Sequence, residues 1–310
     1  MAARVVLMRL AMSLPREVLP GRVHMLSRRC TQRQFLLRPD KVTNETFLYC
    51  LAEAANRYDV RVVLPVAMSN HHHTVVYDGE GRVIEFMEHF HKMLAKAQNA
   101  HRGRGENLWS SEPPSLVQLV GVDDLLEKLV YVATNPVKAG LVDRAHHWPG
   151  VQGLDALLNR RTIVVRRPKQ FFRAGGSMPE EVTLELGLPP GIEDVDAFLN
   201  ALRERVAAEE EQLAAERRRA GRGVLGRRGV LQQDWRSCPT SREPRRGLQP
   251  RVAARSVWAR IEALQRNRAF IDAYRAARAA WLAGLDAVFP PGTYWLRRFA
   301  SVVVAEPPRP

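Results

Sequence analysis

The chain has 310 residues, 45% of them hydrophobic, enough for one generous domain or two ordinary ones, which excludes a disordered tail. Its 47 Lys and Arg outnumber 33 Asp and Glu, for a net charge of +14, so the expected partner is a polyanion, with nucleic acid ahead of an acidic membrane surface. No run of about twenty apolar residues is present to span a bilayer, and Cys30, Cys50 and Cys238 are too scattered for a zinc site or a disulfide framework, as expected of a reduced, cytoplasmic protein.

Residues 1–19 read as a variable leader; the apolar run Val5–Leu14 is broken by Arg9 and no clean cleavage site follows, so it is not read as a secretory signal. Pro20-Gly21 turns into the alternating segment Arg22–Ser27, the first predicted strand. A helix carrying Phe47, Leu48, Leu51 and Ala54 at helical spacing comes next, with Thr43 or Asn44 as its cap. The β-branched run Val60–Met68 predicts a strand, Ser69-Asn70 a tight turn, and His71–Tyr77 a further strand that ends at Asp78-Gly79. From Ile84 to Ala100 the stripe Phe86, Phe90, Met93, Leu94 and Ala97 predicts a helix, broken by Gly103-Arg104-Gly105 ahead of Trp109. A helix over Val122–Ala133 opens on Asp123 and Asp124, where the helix dipole favours acids, and Asn135-Pro136 marks its end or a sharp bend.

Beyond Trp148-Pro149-Gly150 the pattern changes. Residues 151–190 are loop-rich apart from the apolar run Thr162–Val165. A helix over Asp194–Arg219 passes from Glu209-Glu210-Glu211 to Arg217-Arg218-Arg219, a gradient that follows its own dipole. Gly221–Arg246 reads as a flexible basic arm, and a last helix over Arg255–Ala283 has Trp258, Ile261, Leu264, Tyr274 and Trp281 as a packing surface. The expected organisation is a leader over 1–19, a site-bearing domain over 20–150, an extension over 151–190 and a helical, basic region over 191–310.

The chemistry concentrates in His71-His72-His73. Side chains two apart on a strand share a face, so His71 and His73 point one way and His72 the other. Their Cα atoms lie about 6.6 Å apart, close enough for two imidazoles to converge on one cation. On the later helix Tyr131 and Asn135 are four apart and also share a face.

In chain order the motifs are Pro20-Gly21 with His24, then Met68-Ser69-Asn70-His71-His72-His73, then Trp109, then Tyr131 through Asn135-Pro136-Val137-Lys138-Ala139-Gly140-Leu141. This arrangement resembles the single-tyrosine HUH transposases, in particular the REP-associated tyrosine transposases, over residues 20–150. The resemblance implies an α+β fold with a ferredoxin-like antiparallel sheet that carries the histidines and a helix that presents the tyrosine. It implies His71 and His73 as metal ligands, Tyr131 as nucleophile and Asn135 as a third, polar ligand. It also implies single-stranded or hairpin DNA as substrate and a homodimer as the assembly. The family places a bulky apolar residue where this chain has His72; a one-residue slip of register would make His72 the ligand and bury its neighbours.

Cutting a phosphodiester needs an in-line nucleophile and positive charge on the non-bridging oxygens. A phenol, with a reference pKa of about 10, attacks only after losing its proton, but its phosphotyrosine link conserves the bond for rejoining. Imidazole and amide donors with no placeable carboxylate favour Mg2+ or Mn2+ bound together with substrate phosphate. Trp109 is a candidate platform for unstacked bases, and Arg102, Arg104, Arg217, Arg218, Arg219, Arg222, Arg227 and Arg228, with Arg242 to Arg246, are candidate phosphate contacts. Two other readings stand beside strand transfer: a non-catalytic nucleic-acid-binding regulator, and a metal-dependent hydrolase that uses water.

Overall fold

Alternation in the first 120 residues builds a single sheet. In the computed structural model, which describes residues 15–241 and 250–307, β1 (Arg22–Arg29), β2 (Val60–Ala67), β3 (His71–Asp78) and β4 (Ser115–Leu119) lie in the order β2-β3-β1-β4. Every neighbouring pair is antiparallel. Helix α1 (Lys41–Tyr58) joins β1 to β2 and α2 (Val83–Arg102) joins β3 to β4. This βαββαβ order is the ferredoxin-like, antiparallel-dominated α+β arrangement expected.

Each face of the sheet has its own core. Leu26 and Val76 face α1 and α2 and pack with Phe47, Phe86 and Phe90, whereas Val75, Leu64 and Val66 face α3 (Val122–Lys138) and pack with Leu125, Leu129 and Val132. The β1–β3 register sets Ser27 opposite His73, Arg28 opposite His72 and Arg29 opposite His71. His72 therefore belongs to the α1/α2 core, and His71 and His73 to the α3 side, with no slip.

Local details depart from the expected boundaries for identifiable reasons. Asp40, not Thr43 or Asn44, caps α1: its Oδ1 accepts the Thr43 N–H at 2.7 Å. Helix α3 runs on through Pro136 to Lys138, because a proline in the last turn removes only one N–H from the ladder. Gly103, at φ +62°, supplies the left-handed residue that stops α2.

The later segments pack onto this domain. After α4 (Leu154–Leu158), β5 (Ile163–Arg166) pairs with β6 (Glu181–Leu184) inside the stretch expected to be loop-rich. Helix α5 (Val195–Arg219) buries Phe198, Leu199, Leu202, Val206 and Leu213 in the same core as α3. The expected flexible arm is structured as far as residue 241: α6 (Gly226–Gln232) interrupts it, Leu225 and Gly226 donate N–H groups to the carbonyls of Gly140 and Leu141, and Ser237 accepts from the Phe35 N–H. Arg242 to Arg246 and the run Val5–Leu14 lie outside the described residues.

Strand β7 (Val252–Ala253) adds to β4 in parallel and α7 (Val257–Leu282) follows. On α7, Tyr274 and Trp281 pack against Phe289, as expected, but Trp258 is 80% exposed and Ile261 and Leu264 also face solvent. The described chain closes with β8 (Val288–Phe289), α8 (Trp295–Phe299) and β9 (Val303–Val304). Among the described residues no helix is long and apolar enough to cross a membrane.

Candidate functional site

The strand parity that buries His72 puts His71 and His73 side by side, with ring centroids 4.9 Å apart. Each ring is held through Nδ1: His71 against Asn70 Oδ1 and His73 against Ser27 Oγ, both at 2.6 Å. With Nδ1–H donating to those oxygens, Nε2 is the nitrogen with a lone pair to offer. His73 is almost fully buried, and burial, reinforced by His71 and His72, keeps its pKa well below the usual imidazole value. It is a neutral ligand or acceptor across the physiological range.

Helix α3 delivers Tyr131 to the same place. Its ring lies 5.5 Å from that of His73, centroid to centroid, with the planes at 68°. The Asn135 side chain stands one turn on from the phenol; burial raises the phenol's pKa above the ordinary value, and Asn135, which favours the phenolate, works against the rise. Lys128 and Lys138 set their ammonium groups 5.8 and 5.7 Å from the ring centroid. His71, His73 and Tyr131 line one open cleft of about 520 Å³. Asn135 is placed at the phenol and does not line that cleft.

The cleft contains residues that sequence reading passed over. Arg28, Arg29 and Arg33 line it with Ser27, Asn70 and Glu112, and Arg29 pairs with Glu112 at 3.0 Å. The available signal for Arg28 and Arg29 was the register of β1 against the histidine strand; for Lys128 and Lys138 it was helical spacing from Tyr131. Glu112 follows a loop and carried none. Among the described residues no three His, Cys, Asp or Glu side chains converge as a metal cage. Two adjacent imidazoles do fit a divalent ion that completes its shell with water and substrate oxygens, and fit Mn2+ better than the harder Mg2+.

Several expected nucleic-acid contacts lie elsewhere or are already engaged. Trp109 is 7% exposed: its Nε1–H donates to the His91 carbonyl, His72 and His91 pack on the ring, and the Arg28 guanidinium sits 5.3 Å from its centroid. It is core filling, with no face open to a base. Arg102 is bound to Asp40, the Thr43 hydroxyl and the Arg38 carbonyl, its side chain 5% exposed. Arg104 is half-buried and donates to Gln34, and Arg217 donates to the Val137 carbonyl at the end of α3. Arg218, Arg219, Arg222, Arg227 and Arg228 are exposed, outside the cleft.

His72 answers the question its position raises. It is fully buried, and its Nδ1 and Nε2 reach Thr74 Oγ1 at 3.0 Å and His91 Nε2 at 2.9 Å. Burial, with His71 and Arg28 adding to it, lowers its pKa to about 3, so it stays neutral.

No family model and no curated protein matches this chain. Among solved structures the chain is similar to that of a REP-associated tyrosine transposase bound to a REP hairpin, with TM-score 0.41, 16% identity, and 48% of this chain and 86% of that one covered. The strand order and the site geometry stand without that likeness.

Proposed function

We propose that this chain cuts and rejoins single-stranded DNA through a covalent link to Tyr131, at a site where His71 and His73 hold a divalent ion, Mn2+ or Mg2+. The observation that carries this reading is the meeting of two strand imidazoles and a helix phenol at one basic cleft. When bound, the ion supplies positive charge to the non-bridging oxygens of the scissile phosphate.

The protein's own groups do the rest. Asn135 favours the ionised phenol, and Lys128 and Lys138 supply charge beside the ring. The phenol passes its proton to water, its oxygen forms a bond to phosphorus, and the bond from phosphorus to the leaving nucleotide oxygen breaks, that oxygen taking a proton from water. The phosphoryl group is then joined to Tyr131, and a strand end that attacks it reverses the step. Arg28, Arg29 and Arg33 at the cleft suit the flanking phosphates.

The test is a labelled library of single-stranded oligonucleotides incubated with the full chain and Mn2+ or Mg2+, scored for a complex that survives denaturation. Native protein forms the adduct, Tyr131→Phe does not, and His71→Ala and His73→Ala lose it as well. Cleavage that persists in Tyr131→Phe without any adduct would instead establish a hydrolase. A second reading, a regulator that binds nucleic acid without cutting it, is favoured by the burial that makes the Tyr131 proton harder to remove. Tight oligonucleotide binding with no adduct at any pH would establish it.

A further inference from the structure

The opposite face of the sheet carries a second basic pocket that the Tyr131 chemistry does not use. It lies where β1, β4 and β7 meet α7, and Arg16, Arg22, Arg251 and Arg266 line it against one carboxylate, Glu17. It lies at the opposite end of β1 from the cleft, and there Arg22 and His24 alternate with Val23 and Met25, which pack in the core of α3. Arg22 is paired with Glu17 at 2.7 Å. Arg16 donates to the Pro114 carbonyl, and Arg251 to the Pro15 carbonyl and to Asn267. Arg266 pairs with Glu262 on its own helix at 3.3 Å, and among the described residues Glu17 is the acid that lines the pocket against four arginines.

His24 makes the pocket a site and not a surface patch. It is 5% exposed, and among the described residues neither ring nitrogen has a hydrogen-bond partner. A buried imidazole without partners costs on the order of 1–3 kcal/mol, so the missing partner calls for an explanation. The half-enclosed space beside it measures about 40 Å³. At about 10–15 Å³ for each water-sized group, that admits about three or four oxygens, which excludes a nucleotide and suits a single tetrahedral oxyanion.

We propose that this pocket binds one phosphoryl group, with His24 donating an N–H to it and Arg16, Arg22, Arg251 and Arg266 supplying the charge. The group is either inorganic phosphate or the terminal phosphate of a nucleic-acid strand; both present the same oxygens. The site is independent of the Tyr131 reaction and stands or falls apart from it.

The full-length protein is melted at pH 7.5 in chloride and in inorganic phosphate at matched ionic strength, with a 5′-phosphorylated and a hydroxyl-ended oligonucleotide as further arms. Phosphate raises the midpoint of the native chain and of Tyr131→Phe alike. In Arg16→Gln and His24→Phe the apparent affinity falls roughly tenfold or more, as loss of one charged hydrogen bond predicts. Arg266→Gln, at an exposed position, keeps the fold and weakens phosphate less. The ring resonances of His24 move as phosphate is added to the native chain. Protection by the phosphorylated strand but not by the hydroxyl-ended one identifies a strand end as the source; protection by inorganic phosphate alone identifies the free ion. An equal phosphate response in all variants, or His24 resonances that do not move, overturns the proposal.

Discussion

At Tyr131 two opposing influences meet: burial holds the phenolic proton, and Asn135 favours its release. If the phenolate is the attacking species, adduct formation climbs roughly tenfold per pH unit between pH 7 and 9, because the ionised fraction does so below the pKa. Asn135→Ala removes the favouring contact and lets the oxygen wander, so it slows the adduct by a factor on the order of 10 to 100 without unfolding the helix. Single-turnover rates across pH check both; a profile flat with pH would place the proton transfer elsewhere. His72 gives the contrasting case of a histidine kept for packing. With His91 as its Nε2 partner, His72→Leu strands a polar atom and costs roughly 1–3 kcal/mol, and the double change to leucine at 72 and 91 recovers part of that, in urea melts. Strand alternation was enough to sort the three histidines between two faces. It could not show that Trp109 lies under His72, since a ring's cover comes from residues distant in the chain.

Helix α1 shows what pattern reading finds and what it misses. Its apolar stripe fixed the helix, but the cap fell to Asp40, one residue before the first turn, because only there does a carboxylate reach the Thr43 N–H. Burial alone would raise the Asp40 pKa; the Thr43 N–H, Arg102, the Thr43 hydroxyl and His101 hold it down to about 2. A carboxyl whose folded pKa lies below its unfolded 3.8 contributes stability that is fully present above about 3.8 and is lost as the pH falls toward 2. Asp40→Asn keeps a capping oxygen and loses the charge, so it costs roughly 1–2 kcal/mol at neutral pH. The native and variant stabilities draw together as the pH falls from about 3.8 toward 2, which guanidinium titrations at several pH values measure. Helix α3 is the reverse case. Its length past Pro136 was hidden because proline reads as a stop in sequence, yet the turn it would break is already the last one.

At the level of the whole molecule, the region after residue 190 is bound to the sheet, not tethered beside it. Asp124, in the first turn of α3, accepts the Arg255 N–H with Oδ1 while Oδ2 caps its own helix through Gly121, and β7 extends the sheet edge. Composition marked residues 191–310 as helical and basic but could not show this docking, since α5 has too weak a stripe to name its partner. The same junction makes His24 a probe of the assembled fold. Burial lowers its pKa from 6.5 to about 3, with Arg22 and Arg16 adding to the effect; Glu17, Arg251 and Arg266 are the other charged groups at the pocket. An imidazole neutral in the fold but protonated when unfolded leaves stability intact above about pH 6.5 and withdraws it steadily as the pH falls toward 3. The loss from this one group is about 1.4 kcal/mol per pH unit within that window. Urea melts in phosphate-free buffer at pH 7.5 and 5.0 therefore separate more widely for the native chain than for His24→Phe. An identical pH dependence in the two would mean that His24 reaches solvent, or a partner, in the folded protein.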